Sequence, residues 1–270
     1  LQKQLVQAGV LPPEILDRTL VPLKYTDADI KSMIDALKSD PPLYSYADLD
    51  VGEHYHGRIP FVDLLCSGPQ VVPLLEQAFT EAEGDRQLLM AVGLSMLGSQ
   101  VGVPLLVSTI QRQLQGEKLP ERDSKIRHVG WPPDQAAAPN LANLIYALGL
   151  TRSQASLPIW QRVVDLLASV TEDELMDNNT GSYYYVTYVC YGAERLGDPA
   201  AVPILKKLHS YPVFFNRVLT SGFQANFFTE RMAFLELLIC RAMARCGSPD
   251  GLVQLINYLN DVRAPLAEHA

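Results

Sequence analysis

This chain has few cysteines, no basic face and no long apolar run. Four cysteines in 270 residues are too few for a disulfide scaffold, which packs several pairs into a short chain. Cys240 and Cys246 lie six positions apart, about 240° around a helix, and cannot pair locally. All four are expected as buried, reduced thiols behaving as small hydrophobes. The 22 basic residues are outnumbered by 30 acidic ones, for a net charge of -8. Phosphate backbones need a concentrated basic face, and the densest basic stretch, Arg122 to Arg127, is short and interrupted by Asp123. Nucleic acid is therefore excluded as a partner. A membrane surface is excluded on the same ground, and no apolar run approaches the roughly 18 residues of a span. No Gly-x-Gly-x-x-Gly turn follows a strand pattern, so no dinucleotide or other cofactor site is expected. Ser-His-Asp and Cys-His arrangements leave no local signature, and the carboxylates are scattered as solvated charge. Catalysis is not expected of this segment alone.

What is present is a repeated phrase. With 48% apolar residues, the chain can bury a continuous core. Between apolar stretches a small turn is followed by Pro and two apolar residues: CSGPQVVPLL at Cys66 to Leu75, LGSQVGVPLL at Leu97 to Leu106 and LGDPAAVPIL at Leu196 to Leu205. CGSPDGLVQL at Cys246 to Leu255 is a degenerate copy, and LGLTRSQASLPIW, measured from Gly149, carries three extra residues. Gly98, Gly149, Gly197 and Gly247 stand roughly fifty residues apart, the signature of a helical repeat array.

Each landmark predicts a helix pair. First helices are expected at Val71 to Glu81, Val103 to Leu114, Ser156 to Ser169, Ala200 to His209 and Gly251 to Asn260. Second helices are expected at Asp85 to Leu97, Asn140 to Leu148, Tyr184 to Leu196 and Glu230 to Arg245, with stripes such as Leu141, Leu144, Ile145 and Leu148. Ser99, Asp198 and Ser248 stand where N-caps belong, followed at two of them by Pro199 and Pro249. Pro104 and Pro203 sit slightly deeper and are each expected to remove one hydrogen bond and bend the helix near its start. Before the array, Thr26 and Asp29 make a capping-box pair for a helix from Asp27 to Lys38. Leu1 opens LQKQLVQAG, already a helical pattern, so the chain reads as matured or as cut from a longer protein. Compartment, cytoplasmic or exported, stays open.

LGDPAAVPIL and LGSQVGVPLL resemble the opening of a HEAT-type repeat. GDRQLLMAVGLSMLG resembles its second helix, including the Asp85-Arg86 turn pair, of which Glu230-Arg231 is a partial second case. The resemblance covers roughly Pro69 to Leu259, although these repeats are longer than is usual for the family. It implies an all-α, right-handed α-α superhelix (armadillo-like) of about five HEAT-like helix pairs with an N-terminal helical cap. Residues 1–66 would form the cap and its loop, and 67–270 the array. LQKQLVQAGVL, followed by this helical region, is also similar to the C-terminal part of certain bacterial FAD-dependent oxidoreductases, in which the flavin domain lies upstream. That resemblance implies an accessory region whose partner is a protein or an upstream catalytic domain, with no flavin site here.

Links between pairs are short, whereas links inside pairs are long: Gly116 to Pro139, Thr171 to Tyr183 and Ser210 to Thr229. Long inserts on one edge of a stack mark a functional rim. Four polar or aromatic segments populate it. In Glu53-His54-Tyr55-His56-Gly57-Arg58, His54 and His56 would share a face if extended. No spacing selects a third metal ligand, so a binding rim of His54, Tyr55, His56 and Arg58 is preferred to a metal site. Arg127, His128 and Trp131 form the second, with Trp131 before two prolines either pinning the loop or stacking on a ligand. The third offers Asn178 and Tyr183, with Asn178-Asn179-Thr180 also fitting the N-glycosylation spacing, relevant only to a secreted chain. The fourth offers Asn216 and Arg217 beside several phenylalanines. Flat rings with planar hydrogen-bonding groups suit a protein partner or a saccharide. The alternative is an α/α toroid of the polysaccharide-lyase kind, working through Tyr183, His54, His56, His128 and Arg217.

Overall fold

The computed structural model describes residues 7–8, 25–37, 60–121, 140–177, 180–222 and 227–263, and every regular element among them is helical. Helix α1 (Asp27–Ala36) opens on the expected capping box. The Thr26 hydroxyl accepts the Asp29 N–H at 3.2 Å, and Asp29 accepts the Thr26 N–H at 2.8 Å. Its Ile30 and Ile34, with Leu64 of α2 (Pro60–Cys66), bury against Val71 and Leu75 of α3 (Val71–Glu81) and Met90 and Leu94 of α4 (Gly84–Met96). Cys66 is exposed, whereas Cys190, Cys240 and Cys246 are buried as expected. Two positions on a helix point about 200° apart, so burying Leu64 turns Cys66 outward.

The chain continues through α5 (Val103–Gln113), α6 (Asn140–Leu150), α7 (Ser156–Leu166), the short α8 (Glu172–Met176) and α9 (Ser182–Leu196). A 3₁₀ turn at Pro199–Ala201 leads into α10 (Val202–His209), then α11 (Phe227–Arg245) and α12 (Pro249–Tyr258). Contacts run in two rows: α4 to α6 to α9 to α11, and α5 to α7 to α10. Between the rows one core extends from Ala91 through Leu144, Trp160 and Tyr185 to Leu238. Each fully buried large side chain there stabilises by about 1.5–3 kcal/mol. No helix among the described residues is long and apolar enough to cross a membrane.

Pro104 and Pro203 occupy the second residues of α5 and α10. The first four N–H groups of a helix have no intrahelical acceptor, so neither proline removes a bond there, contrary to the sequence expectation.

The turns between helices correct the register read from Gly149. Gly98, Gly197 and Gly247 hold left-handed backbone, with φ of 84°, 62° and 90°, and in the remaining turn the residue so placed is Arg152, with φ of 53°. Arg152 stands six positions before Pro158, as Gly98 does before Pro104, so the extra residues vanish once Arg152 is the landmark. After each of three left-handed residues a side-chain oxygen caps the turn. Ser99 accepts from Val101 N–H at 3.2 Å, Ser153 from Ala155 N–H at 3.3 Å and Asp198 from Ala200 N–H at 2.8 Å.

Gly149 lies inside α6 and serves packing. A Cβ there would stand 2.8 Å from the Gly192 Cα of α9, and one on Gly192 would stand 2.6 Å from the Trp160 ring. The two glycines let α6 and α9 close up with the indole across the contact.

Candidate functional site

Eight of the eleven residues expected at the rim, His54, Tyr55, His56, Arg58, Arg127, His128, Trp131 and Asn178, lie outside the described residues. Tyr183, Asn216 and Arg217 are described. Tyr183 opens α9, its ring covered by the Arg231 guanidinium 4.0 Å from the centroid, and burial pushes its phenol up. Asn216 and Arg217 belong to the link after α10 and lead to a constellation that the sequence did not single out.

At its centre is Glu236 of α11, fully buried among Leu235, Leu237 and Leu238. Five donors converge on its carboxylate. Oε1 accepts from His209 Nε2 at 2.9 Å, the Asn216 N–H at 2.8 Å and Gln254 Nε2 at 3.1 Å. Oε2 accepts from the Tyr258 hydroxyl at 2.6 Å and the Arg217 N–H at 2.5 Å. The left-handed backbone of Asn216, with φ of 59°, aims two successive N–H groups at one anion, a nest. Burial pushes the Glu236 carboxyl up, but the donors from His209, Tyr258, Arg217 and Asn216 outweigh it and hold the group below its ordinary range. The carboxylate is thus ionised, and His209 Nε2 donates to it. The same environment pushes the Tyr258 phenol up through burial, then through the adjacent carboxylate.

The link itself is tied on further sides. The Arg217 guanidinium donates to Glu172 at 2.6 Å and to the carbonyls of Val213 and Pro212, both at 3.1 Å. Asp261 accepts the Leu219 N–H at 2.9 Å, and Arg263 donates to the Arg217 carbonyl at 2.6 Å. Arg263 and Asp261 are themselves a buried pair at 2.6 Å. Arg217 was expected as a ligand-facing cation; here it staples its own link to α8.

Cys240 lies one helical turn beyond Glu236, its sulfur 3.7 Å from His209 Nε2. A thiol, an imidazole and a carboxylate so close invite a catalytic reading, but the geometry opposes it. A relay uses both ring nitrogens, one toward the nucleophile and one toward the acid. Here a single nitrogen faces both groups. Burial, then the charge of Glu236, pushes the Cys240 thiol well up, away from the reactive thiolate. Donor atoms of His209, Glu236 and Cys240 lie within 4.8 Å of one another, close enough to surround a metal ion. An ion would have to displace His209 from an oxygen that two further donors already use. The arrangement is a polar clamp joining α10, α11, α12 and the link.

The signal that sequence reading missed is local: a lone carboxylate inside FLELLIC is flanked by apolar residues on both sides, and such a charge, once buried, must find donors.

No family model matches this chain, and no curated protein or solved structure shows significant similarity to it.

Proposed function

We propose that this chain is a non-catalytic helical-repeat binding or scaffolding region, built as a right-handed stack of about five HEAT-like helix pairs. Its partner is a protein, foremost the catalytic domain of a larger enzyme to which it is accessory. The observation behind this reading is the outer face of α12. Leu252, Val253, Ile256 and Leu259 are 54%, 59%, 52% and 59% exposed, and three of them recur at helical spacing on one stripe. Exposed aliphatics scattered singly are ordinary, whereas three on one helix with a fourth at its C-cap, Leu259, suit a complementary apolar surface. The two rows of helices support the stack. The similarity of LQKQLVQAGVL to the C-terminal part of FAD-dependent oxidoreductases supports the accessory role.

The toroid lyase finds less support. A tyrosine acting as base needs an accessible, easily ionised phenol, and burial drives Tyr183 the other way. A saccharide on the long-link edge is the second ligand class of the binding reading.

The test separates binding from turnover. The chain and the catalytic polypeptide of its gene product, expressed separately, should associate with about micromolar or tighter affinity by calorimetry. The double substitution Leu252→Lys with Ile256→Lys should abolish association while leaving the unfolding midpoint in place. Acidic polysaccharides should give no unsaturated product by absorbance. Measurable turnover by the chain alone would sink the non-catalytic reading.

A further inference from the structure

Where α4, α6 and α9 end, on the short-link edge, a cavity of about 510 Å³ opens. Met96, Leu97 and Leu150 supply apolar wall, Tyr146 a phenol, and Arg152 and Arg195 two cations. The volume falls within the range of small-molecule sites.

Three observations single this cavity out. First, among the described residues neither the Arg152 nor the Arg195 guanidinium has an ion-pair or hydrogen-bond partner. Arg86, Arg162, Arg217, Arg241 and Arg263 each hold acceptors. Arg112 and Arg245 are likewise unpaired at the surface, but in a chain of net charge -8 only Arg152 and Arg195 line a common cavity. Second, Arg152 occupies the left-handed turn position that glycine fills at Gly98, Gly197 and Gly247. Left-handed backbone is disfavoured for a residue with a Cβ, and departures of this kind cluster at functional sites. Third, the turns around it are held in place. Gln100 Nε2 donates to the Thr151 carbonyl at 3.2 Å, and Gln154 Nε2 to Asp198 at 2.6 Å.

The opposing field is weaker. Each helix C-terminus contributes about half a negative charge, and three end here. Part of that is quenched: the Ser99 N–H closes on the Leu94 carbonyl at 2.8 Å and the Gly197 N–H on the Ala193 carbonyl at 2.9 Å. Two full cations exceed what remains. Guanidinium matches the planar or tripodal oxygens of carboxylates and phosphates, and the apolar wall accepts a hydrocarbon or aromatic body.

We propose that this cavity binds a small organic anion, its phosphate or carboxylate head held by Arg152 and Arg195 and its apolar body against Met96, Leu97 and Leu150. The site is independent of the α12 face.

The test titrates the purified chain by calorimetry with phenyl phosphate, phenylacetate and neutral benzyl alcohol. At least one anion should bind saturably at one site and benzyl alcohol should not; the tighter anion assigns the head group. Arg195→Gln and Arg152→Gly should each weaken binding tenfold or more, whereas the exposed Arg112→Gln should leave it unchanged. The Arg152→Gly melting temperature should not fall below the parent's, because glycine is at ease in that turn. Lost binding is then not lost fold. Failure of both anions to bind saturably, or binding that survives both cavity substitutions, overturns the proposal.

Discussion

The Tyr258 hydroxyl donates to Glu236 at 2.6 Å, with both side chains fully buried. The bond joins α12 to α11, and the same carboxylate reaches α10 and the link between them. Tyr258→Phe keeps the ring and removes one hydrogen bond to a charged group, which costs about 1.5–3 kcal/mol. Glu236→Gln also turns an NH₂ toward donors that need an acceptor, and should cost about 3–5 kcal/mol. Urea unfolding at neutral pH measures both. A Tyr258→Phe midpoint equal to the parent's would show that the clamp contributes nothing.

The clamp also predicts an acid response with a defined sign. The folded state holds the Glu236 carboxyl below its ordinary value of 4.5. On acidification the unfolded chain therefore takes up this proton first. The stability it contributes is fully present above that value and is lost as pH falls through the folded one. The gap in unfolding free energy between the parent and Glu236→Gln should be widest near neutrality and narrow steadily below pH 4.5. A gap unchanged down to the acid transition would exclude this carboxylate as the source.

Much of the helical layout was legible because its signals are local. The apolar stripe and turn before Val71 set α3 to the residue, and Thr26 with Asp29 set the start of α1. The left-handed turns were legible where glycine fills them and misread where Arg152 does, because composition alone hides a conformation adopted against preference. Glu236 was missed for a different reason. Its donors come from residues 18 to 27 positions away in sequence, and no spacing rule links them before the helices pack. Cys66 was misplaced because an apolar neighbourhood in sequence is not a buried face.

Alkylation should separate the thiols. Cys66 is exposed, whereas Cys190, Cys240 and Cys246 are buried, and burial pushes Cys246 up to about 11 and the other two further. A brief iodoacetamide pulse at mildly alkaline pH should add one label, at Cys66, with three more after denaturation. Mass spectrometry of the intact chain counts them. Early labelling at Cys240 would contradict the closed clamp, since only an opened link exposes that sulfur.

Close packing at Gly192 makes the sharpest contrast with a turn glycine. Alanine there would set its Cβ 2.6 Å from the Trp160 ring and crowd Gly149 across the contact. Neither neighbour is the free end of a flexible chain, so α6 and α9 must separate or the indole must leave its place. Overpacking of this kind costs about 1–3 kcal/mol. Gly98→Ala meets nothing within 4 Å, and only its φ of +84° resists the change, at about 1–2 kcal/mol. The two penalties can be similar in size while differing in kind. Gly192→Ala should perturb the near-ultraviolet circular dichroism and fluorescence of Trp160, whereas Gly98→Ala should lower the melting temperature and leave both spectra unchanged. An unaltered tryptophan signal in Gly192→Ala would mean that the α6–α9 contact is looser than its glycines indicate.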